Sequence, residues 1–215
     1  MTNPLQNFDA SMTVFGAPGR YVQGPGVADR LGAFAAQIGT SAVVVADAFV
    51  LPLIEPRLRQ SFAAARLPLQ ILPFAGKLGT GTAAELDAAL GAARPDIVVA
   101  VGGGRAIDAG KALADLRGLR LVTLPTVASN DAPTSKNYVL YDDAGHLLEV
   151  RHLPRNPDFV VVDTALLATA PRAMFAAGLG DALSKKAEAE ARAAGRGTTM
   201  FMARPPLLAR GIAAL

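Results

Sequence analysis

Three consecutive glycines, Gly102, Gly103 and Gly104, stand between an unbroken apolar run and a segment of helical length. They limit the fold more than any other feature of the chain. The run before them, from Asp96 through Ile97, Val98, Val99 and Ala100 to Val101, does not alternate apolar with polar residues. Both faces of the strand it forms must therefore be covered. A strand of that kind leading straight into a helix belongs to a parallel sheet with helices on either side. Where side chains are missing, main chain approaches a ligand closely, and a helix start offers unpaired N–H groups and partial positive charge. The turn is thus suited to an anion, and a diphosphate above all. The rival is a tight strand-to-helix turn that holds nothing, which the entropic cost of three glycines makes the poorer account.

The rest of the first 165 or so residues repeats the pattern. Ser41 to Ala46 reads as a buried strand, Leu51 to Arg66 as a helix, and Leu67 to Pro73 as a strand. Thr82 and Glu85 have capping-box spacing and open a helix running to about Ala93. Arg105 to Leu116 is a helix and Leu119 to Leu124 a strand, so the order is β-α-β-α. Thr126 to Ser135 is rich in turn formers and reads as a loop. Tyr138 to Tyr141 and His146 to Val150, joined through Asp142 to Gly145, give a hairpin signal, and Phe159 to Val162 one more strand. From Pro171 onward only Ala-rich helical sequence remains, near Arg172 to Ala177, Asp181 to Ala194 and Arg204 to Ala214. The fold class is therefore α/β. A Rossmann-like nucleotide domain occupies 1–168, and the start of an all-helical domain occupies 169–215, too small to build a core alone.

Composition narrows the function. The net charge is +3 from 21 basic and 18 acidic residues, with no basic run interleaved with aromatics, so no nucleic-acid partner is expected. Lys185 and Lys186 read as a solvated helix face. Cysteine is absent, which excludes disulfides, thiolate nucleophiles and cysteine metal cages. Met1 to Asp9 lacks a basic region followed by an apolar stretch, so no signal peptide is expected. The most apolar window, Ala42 to Ile54, contains Asp47 and Pro52 and is too short to span a bilayer. A cytoplasmic protein without a membrane partner follows.

The glycine turn matches neither common nucleotide fingerprint. Ile107 stands where the third glycine of G-x-G-x-x-G belongs. A P-loop fails because five residues, not four, separate Gly104 from Gly110, and Ala112 replaces the magnesium-binding hydroxyl. What stands is Gly-Gly-Gly-x-x-x-Asp-x-x-Lys, with Asp108 and Lys111 spaced for an ordinary i,i+3 ion pair.

Gly102 to Lys111, followed by Pro125 to Ser135, resembles the glycerol dehydrogenases of the iron-containing, metal-dependent alcohol dehydrogenase superfamily. The stretches Pro154 to Asp158, Val161 to Thr164 and Ala177 to Leu183 match in the same order, from about Gly16 to the end. The glycine helix alone is shared with dehydroquinate synthases and glycerol-1-phosphate dehydrogenases; Asp131 to Ser135 and the hairpin point to glycerol dehydrogenase.

The resemblance implies NAD as cofactor. Asp47 would hold the adenine-side ribose and repel a 2′-phosphate, with an exposed loop aspartate as the equal alternative. Gly103, Gly104 and Arg105 would cradle the pyrophosphate, and Asp108 on the same helix is counted among the cofactor-binding residues. Arg105 departs from the usual lysine and Ala106 from the usual threonine or serine. Thr126, Ser129, Ser135, Asn137 and Tyr141 align with cofactor contacts, Asn137 replacing a usual leucine. Asp131 aligns with the substrate-side aspartate that hydrogen-bonds a polyol, though it would also suit a loop turn. Asp181 aligns with a ligand of a divalent metal, zinc or iron, and would equally serve as an N-cap. The family's two metal histidines are expected beyond Leu215, so the chain reads as truncated and impaired in turnover. His146 and His152 read as exposed strand residues.

The expected reaction is oxidation of a small polyol, glycerol to dihydroxyacetone, by a homo-oligomer in its full-length form. A non-catalytic NAD-binding module is the alternative from another class. A glycerol-1-phosphate dehydrogenase or dehydroquinate synthase would need a basic phosphate pocket facing Asp131, and no such cluster is evident.

Overall fold

The computed structural model describes residues 11, 12 and 16–194, and the segment 204–214 read as a helix lies outside them. Six parallel strands form one sheet: β1 (Arg20–Gly24), β2 (Ala42–Asp47), β3 (Leu69–Phe74), β4 (Ile97–Gly102), β5 (Arg120–Pro125) and β8 (Phe159–Asp163). Their order is β1-β8-β5-β4-β2-β3. A separate antiparallel hairpin joins β6 (Asn137–Tyr141) to β7 (Leu147–His152). The helices are α1 (Leu31–Ala35), α2 (Leu51–Ala64), α3 (Thr82–Leu90), α4 (Gly104–Arg117), α5 (Thr164–Leu167) and α6 (Arg172–Ala194). The α/β, Rossmann-like architecture expected from the apolar runs is present.

Successive strand residues feed opposite cores. Val43, Val45, Val98 and Ala100 pack under α3 and α4. Val44, Ala46, Ile97, Val99 and Val101 pack on the other side, against Ile54, Leu58 and Phe62 of α2. That is why β2 and β4 show no alternation: each of their apolar side chains has a core to enter. Helix α4 lies close to the sheet because its inner face is small; a Cβ added to Gly110 would come within 2.5 Å of the Ala100 Cβ. The helix stops at Gly118, whose φ of 65° favours a residue without a side chain.

The order of the strands creates a site. From β2 the chain moves outward to β3, whereas from β4 it moves the other way to β5. Between β2 and β4 the direction of winding reverses, and a crevice opens beyond the carboxyl ends of those two strands, where open α/β sheets bind ligands. Asp47 ends β2 and Gly102 ends β4.

The structure departs from the sequence reading in three places. Strand β1, a 3-10 turn at Val27–Arg30 and α1 precede the first strand read from the sequence. Helix α6 runs without a break, so the two helices read at 172–177 and 181–194 are one, and Asp181 sits within it rather than at an N-cap. The capping box at Thr82 does not form: Gly81 is the N-cap, and Thr82 instead accepts from the Gly79 N–H and donates to the Lys77 carbonyl.

Candidate functional site

The crevice is a cavity of about 620 Å³, within the size range of small-molecule sites. Asp47 borders it from the end of β2, and Gly103, Gly104, Arg105 and Asp108 from the start of α4. The connecting loop contributes Ser129, Asp131 and Ser135, and the hairpin contributes Asn137 and Tyr141. Ten of the twelve residues singled out from the sequence thus meet around one space, counting these ten against Thr126 and Asp181, which do not border it.

Glycine is required twice at the turn. Gly102 has φ 141°, and a Cβ there would stand 2.8 Å from the Cβ atoms of both Asp47 and Ala106. This close approach also brings Asp47 beside the helix start. Gly103 is the N-cap in extended conformation, with no side-chain capping bond. The first bond of the α4 ladder runs from the Ile107 N–H to the Gly103 carbonyl. The amides of Gly104, Arg105 and Ala106 precede it and lack a carbonyl partner within the helix; Gly104 and Arg105 border the cavity, with the positive end of the dipole behind them. A Cβ on Gly104 would meet the Asn130 amide at 2.6 Å, so the floor of the turn is fitted to its neighbour. Asn130 was not singled out from the sequence, although it stands within the loop signature; its Oδ1 accepts from the Ala132 N–H.

Asp47 Oδ1 accepts from the Phe49 N–H at 2.9 Å, which fixes the carboxylate at the strand end. Thr126 donates its N–H to the Gly102 carbonyl. Its Oγ1 is buried and has no partner among the described residues, one residue before Val127 on the cavity wall. An orphaned buried hydroxyl beside a row of open amides fits a polar ligand in the crevice.

Asp108 plays a different part from a free acid. Its Oδ1 receives the Lys111 ammonium at 3.1 Å and its Oδ2 the Val139 N–H at 3.1 Å. The i,i+3 ion pair read from the sequence forms and is buried, with Lys111 fully enclosed. Burial pushes the Asp108 carboxyl up and the Lys111 ammonium down, each opposed by the attraction of the other. Tyr138 donates to Asp115 at 2.6 Å and Lys111 donates to the Asn137 carbonyl, so α4 holds the hairpin at three points along its length.

On the far side, α6 turns the face carrying Gly178, Asp181 and Lys185 toward the body, and Met174 borders the cavity. Lys185 pairs with Asp181 at 3.3 Å and with Glu188 at 3.2 Å. Burial would lower its pKa, but the Glu188 hydrogen bond, the charge of Asp131 and the Asp181 contact together hold it above the usual lysine value. Lys185 therefore lies within the field of Asp131, a link no sequence pattern signalled. Phe175, Leu179 and Leu183 are exposed on the opposite stripe of the same helix.

Among the described residues no group of three or more His, Asp or Glu side chains is arranged to hold a metal ion. His146 contacts Asp142 and His152 contacts the Asn137 side chain, both on the exposed hairpin. Among the described residues no helix is long and apolar enough to cross a membrane.

Residues 18–164 match the family model of iron-containing alcohol dehydrogenases. The chain is 40% identical over 190 residues to the glycerol dehydrogenase of Pseudomonas putida, covering 88% of this chain and 52% of that protein. The crystal structure of glycerol dehydrogenase from Schizosaccharomyces pombe superposes with a TM-score of 0.87 at 29% identity, covering 96% of this chain and 53% of that one. A probable glycerol dehydrogenase from Sinorhizobium meliloti 1021 gives a TM-score of 0.77 at 38% identity over 83% of this chain and 48% of its own. The chain spans about half the length of the curated relatives it matches. On the match across the glycine turn, the loop and the strands around the crevice, the chain belongs to the iron-containing alcohol dehydrogenase family.

Proposed function

We propose that this chain is the cofactor-binding part of an NAD-dependent, metal-dependent dehydrogenase of small polyols, with glycerol oxidised to dihydroxyacetone. The observation that carries the reading is the meeting of Asp47 with the open helix start at Gly103 to Ala106, at the reversal point of the sheet. The free amides of Gly104, Arg105 and Ala106 would bind the diphosphate, and the exposed Arg105 side chain would add a mobile positive charge. Asp47 would accept from the ribose hydroxyls and disfavour a 2′-phosphate. Ser129, Ser135, Asn137 and Tyr141 would line the remainder of the cofactor, with the Thr126 hydroxyl behind them. Asp131 would accept a hydrogen bond from a polyol hydroxyl on the loop side. When bound, NAD takes a hydride from the alcohol carbon. Strand and loop residues would do the rest by orienting the two reactants and excluding water.

The family's divalent metal, zinc or iron, does not fit the described residues. Asp181 is the expected ligand, yet it is paired with Lys185 and has no companion ligands among them. No chemical step is assigned to a metal on this chain. A second reading is an NAD-binding module without turnover. We assign 1–168 to the nucleotide domain and 169–215 to the start of a helical one, since α6 turns an apolar stripe outward. An oligomer in the full-length form and a cytoplasmic site of action accord with that stripe and with the absence of cysteine.

The test is a titration of the chain with NAD, beside an assay with glycerol, NAD and zinc. Binding without turnover supports the module, and binding with turnover supports the dehydrogenase. No binding removes both.

A further inference from the structure

Lys111 is a buried cation outside the catalytic roles given above. Its Nζ carries three hydrogens and meets three acceptors: Asp108 Oδ1 at 3.1 Å, Ser135 Oγ at 3.3 Å and the Asn137 carbonyl. An ammonium has no lone pair, so in the contact with Ser135 the serine oxygen must accept. The serine hydrogen is then turned away from Lys111. Among the described residues its acceptor is the Asn137 carbonyl, 3.5 Å away and shared with the shorter Lys111 bond. Ser135 borders the main cavity. An acceptor placed in that space can therefore take the serine hydrogen from this long contact.

We propose that Lys111 is a positioning residue that commits the Ser135 hydroxyl as a hydrogen-bond donor to an oxygen of the bound dinucleotide. The proposal rests on the cofactor reading above and deepens it by fixing the chemistry of one contact. The group opposite Ser135 is an acceptor: a phosphate oxygen or the carboxamide carbonyl of nicotinamide, not an amide N–H or a ribose hydroxyl acting as donor. Asp108 completes the device. Its second oxygen holds the Val139 N–H, so helix α4 is tied to the hairpin strand beside the serine. Enclosure of Lys111 strengthens this, because a desolvated ammonium with three acceptors has no water to turn to.

Two measurements on the whole chain test this. In calorimetric titration with NAD, Ser135→Ala binds about tenfold more weakly than the wild type, whereas Ser135→Thr, which keeps the hydroxyl, stays near wild type. Repeating the comparison with ADP-ribose identifies the acceptor. The same loss assigns it to the diphosphate, and a loss confined to NAD assigns it to the carboxamide. The second readout leaves Lys111 intact. The 15N resonance of its ammonium shifts when the wild type is saturated with NAD and stays still in Ser135→Ala. A merely structural lysine would not make its signal depend on that hydroxyl. Wild-type affinity in Ser135→Ala, or equal movement of the Lys111 signal in both proteins, overturns the proposal and leaves the cofactor reading standing. A wild type that binds no NAD overturns both.

Discussion

Gly178 lies directly on the main chain of Ala128: a Cβ placed on it would stand 1.8 Å from the Ala128 carbonyl oxygen and 2.8 Å from its carbon. The first half of α6 is thereby seated on the loop that supplies Ser129 and Asp131 to the cavity. A methyl group cannot be absorbed against backbone, so Gly178→Ala should lift the helix from the loop. Hydrogen exchange of the amides in 172–184 should then quicken about tenfold, while those of β4 stay protected. Unchanged exchange in α6 would contradict this seating.

A second close contact sets the depth of α4. Gly110 faces Ala100 with a Cβ-to-Cβ distance that would be 2.5 Å. Gly110→Ala is expected to destabilise the fold by about 1–3 kcal/mol, read from the urea midpoint. Ala100→Gly in the same chain should return part of that loss, because it opens space where the new methyl sits.

Asp163 anchors the opposite edge of the sheet. Its buried carboxylate accepts from the N–H groups of Gly26, Ala28, Ala165 and Leu166 and from Arg57. Burial alone would raise its pKa, but the Gly26 N–H, the Arg57 guanidinium and the Leu166 and Ala28 N–H groups outweigh it and hold the carboxyl below its usual 3.8. The stabilisation from a lowered carboxyl is complete above the unfolded value and disappears as pH falls through the folded one. Asp163→Asn should cost about 3–5 kcal/mol at pH 7, with Arg57 left short of a partner. The gap between wild type and variant should narrow below about pH 4. A gap that persists unchanged to pH 2 would contradict the assignment.

Asp47 bears on the choice of cofactor. Asp47→Ser removes the charge that would face a 2′-phosphate while keeping a small hydrogen-bonding group. NADP affinity should rise about tenfold and NAD affinity fall several-fold, measured by calorimetry with each dinucleotide. Parallel changes for the two cofactors would mean that Asp47 lies away from the ribose.

How far the sequence revealed this can be judged at particular residues. The apolar runs at β2 and β4 and the glycine turn exposed the sheet and its crevice, because each depends on neighbours along the chain. Ile107 seemed to break the dinucleotide fingerprint, yet the bare helix face that packing requires is supplied one turn later by Gly110. Residue spacing hid a contact that physics still demanded. Gly178 and Gly180 read as a helix break because glycine disfavours helices, but the Ala128 loop holds α6 through Gly178. Strand β1, with Arg20, Tyr21 and Gln23 half or fully exposed, carries no period-2 pattern of its own; pairing with β8 makes it a strand. The roles of Asp163 and of Lys111 with Ser135 depend on partners 24 to 137 residues away, which one sequence cannot bring together.

Dinucleotide binding depends on the open amides at the start of α4. The direct measurement is a titration of the 15N-labelled chain with ADP-ribose, followed amide by amide. The expected result is a saturable shift, largest at Gly104, Arg105 and Ala106, with smaller ones at Ser129 and Ser135. A folded chain whose amides in 103–106 stay still at saturating ligand would contradict it.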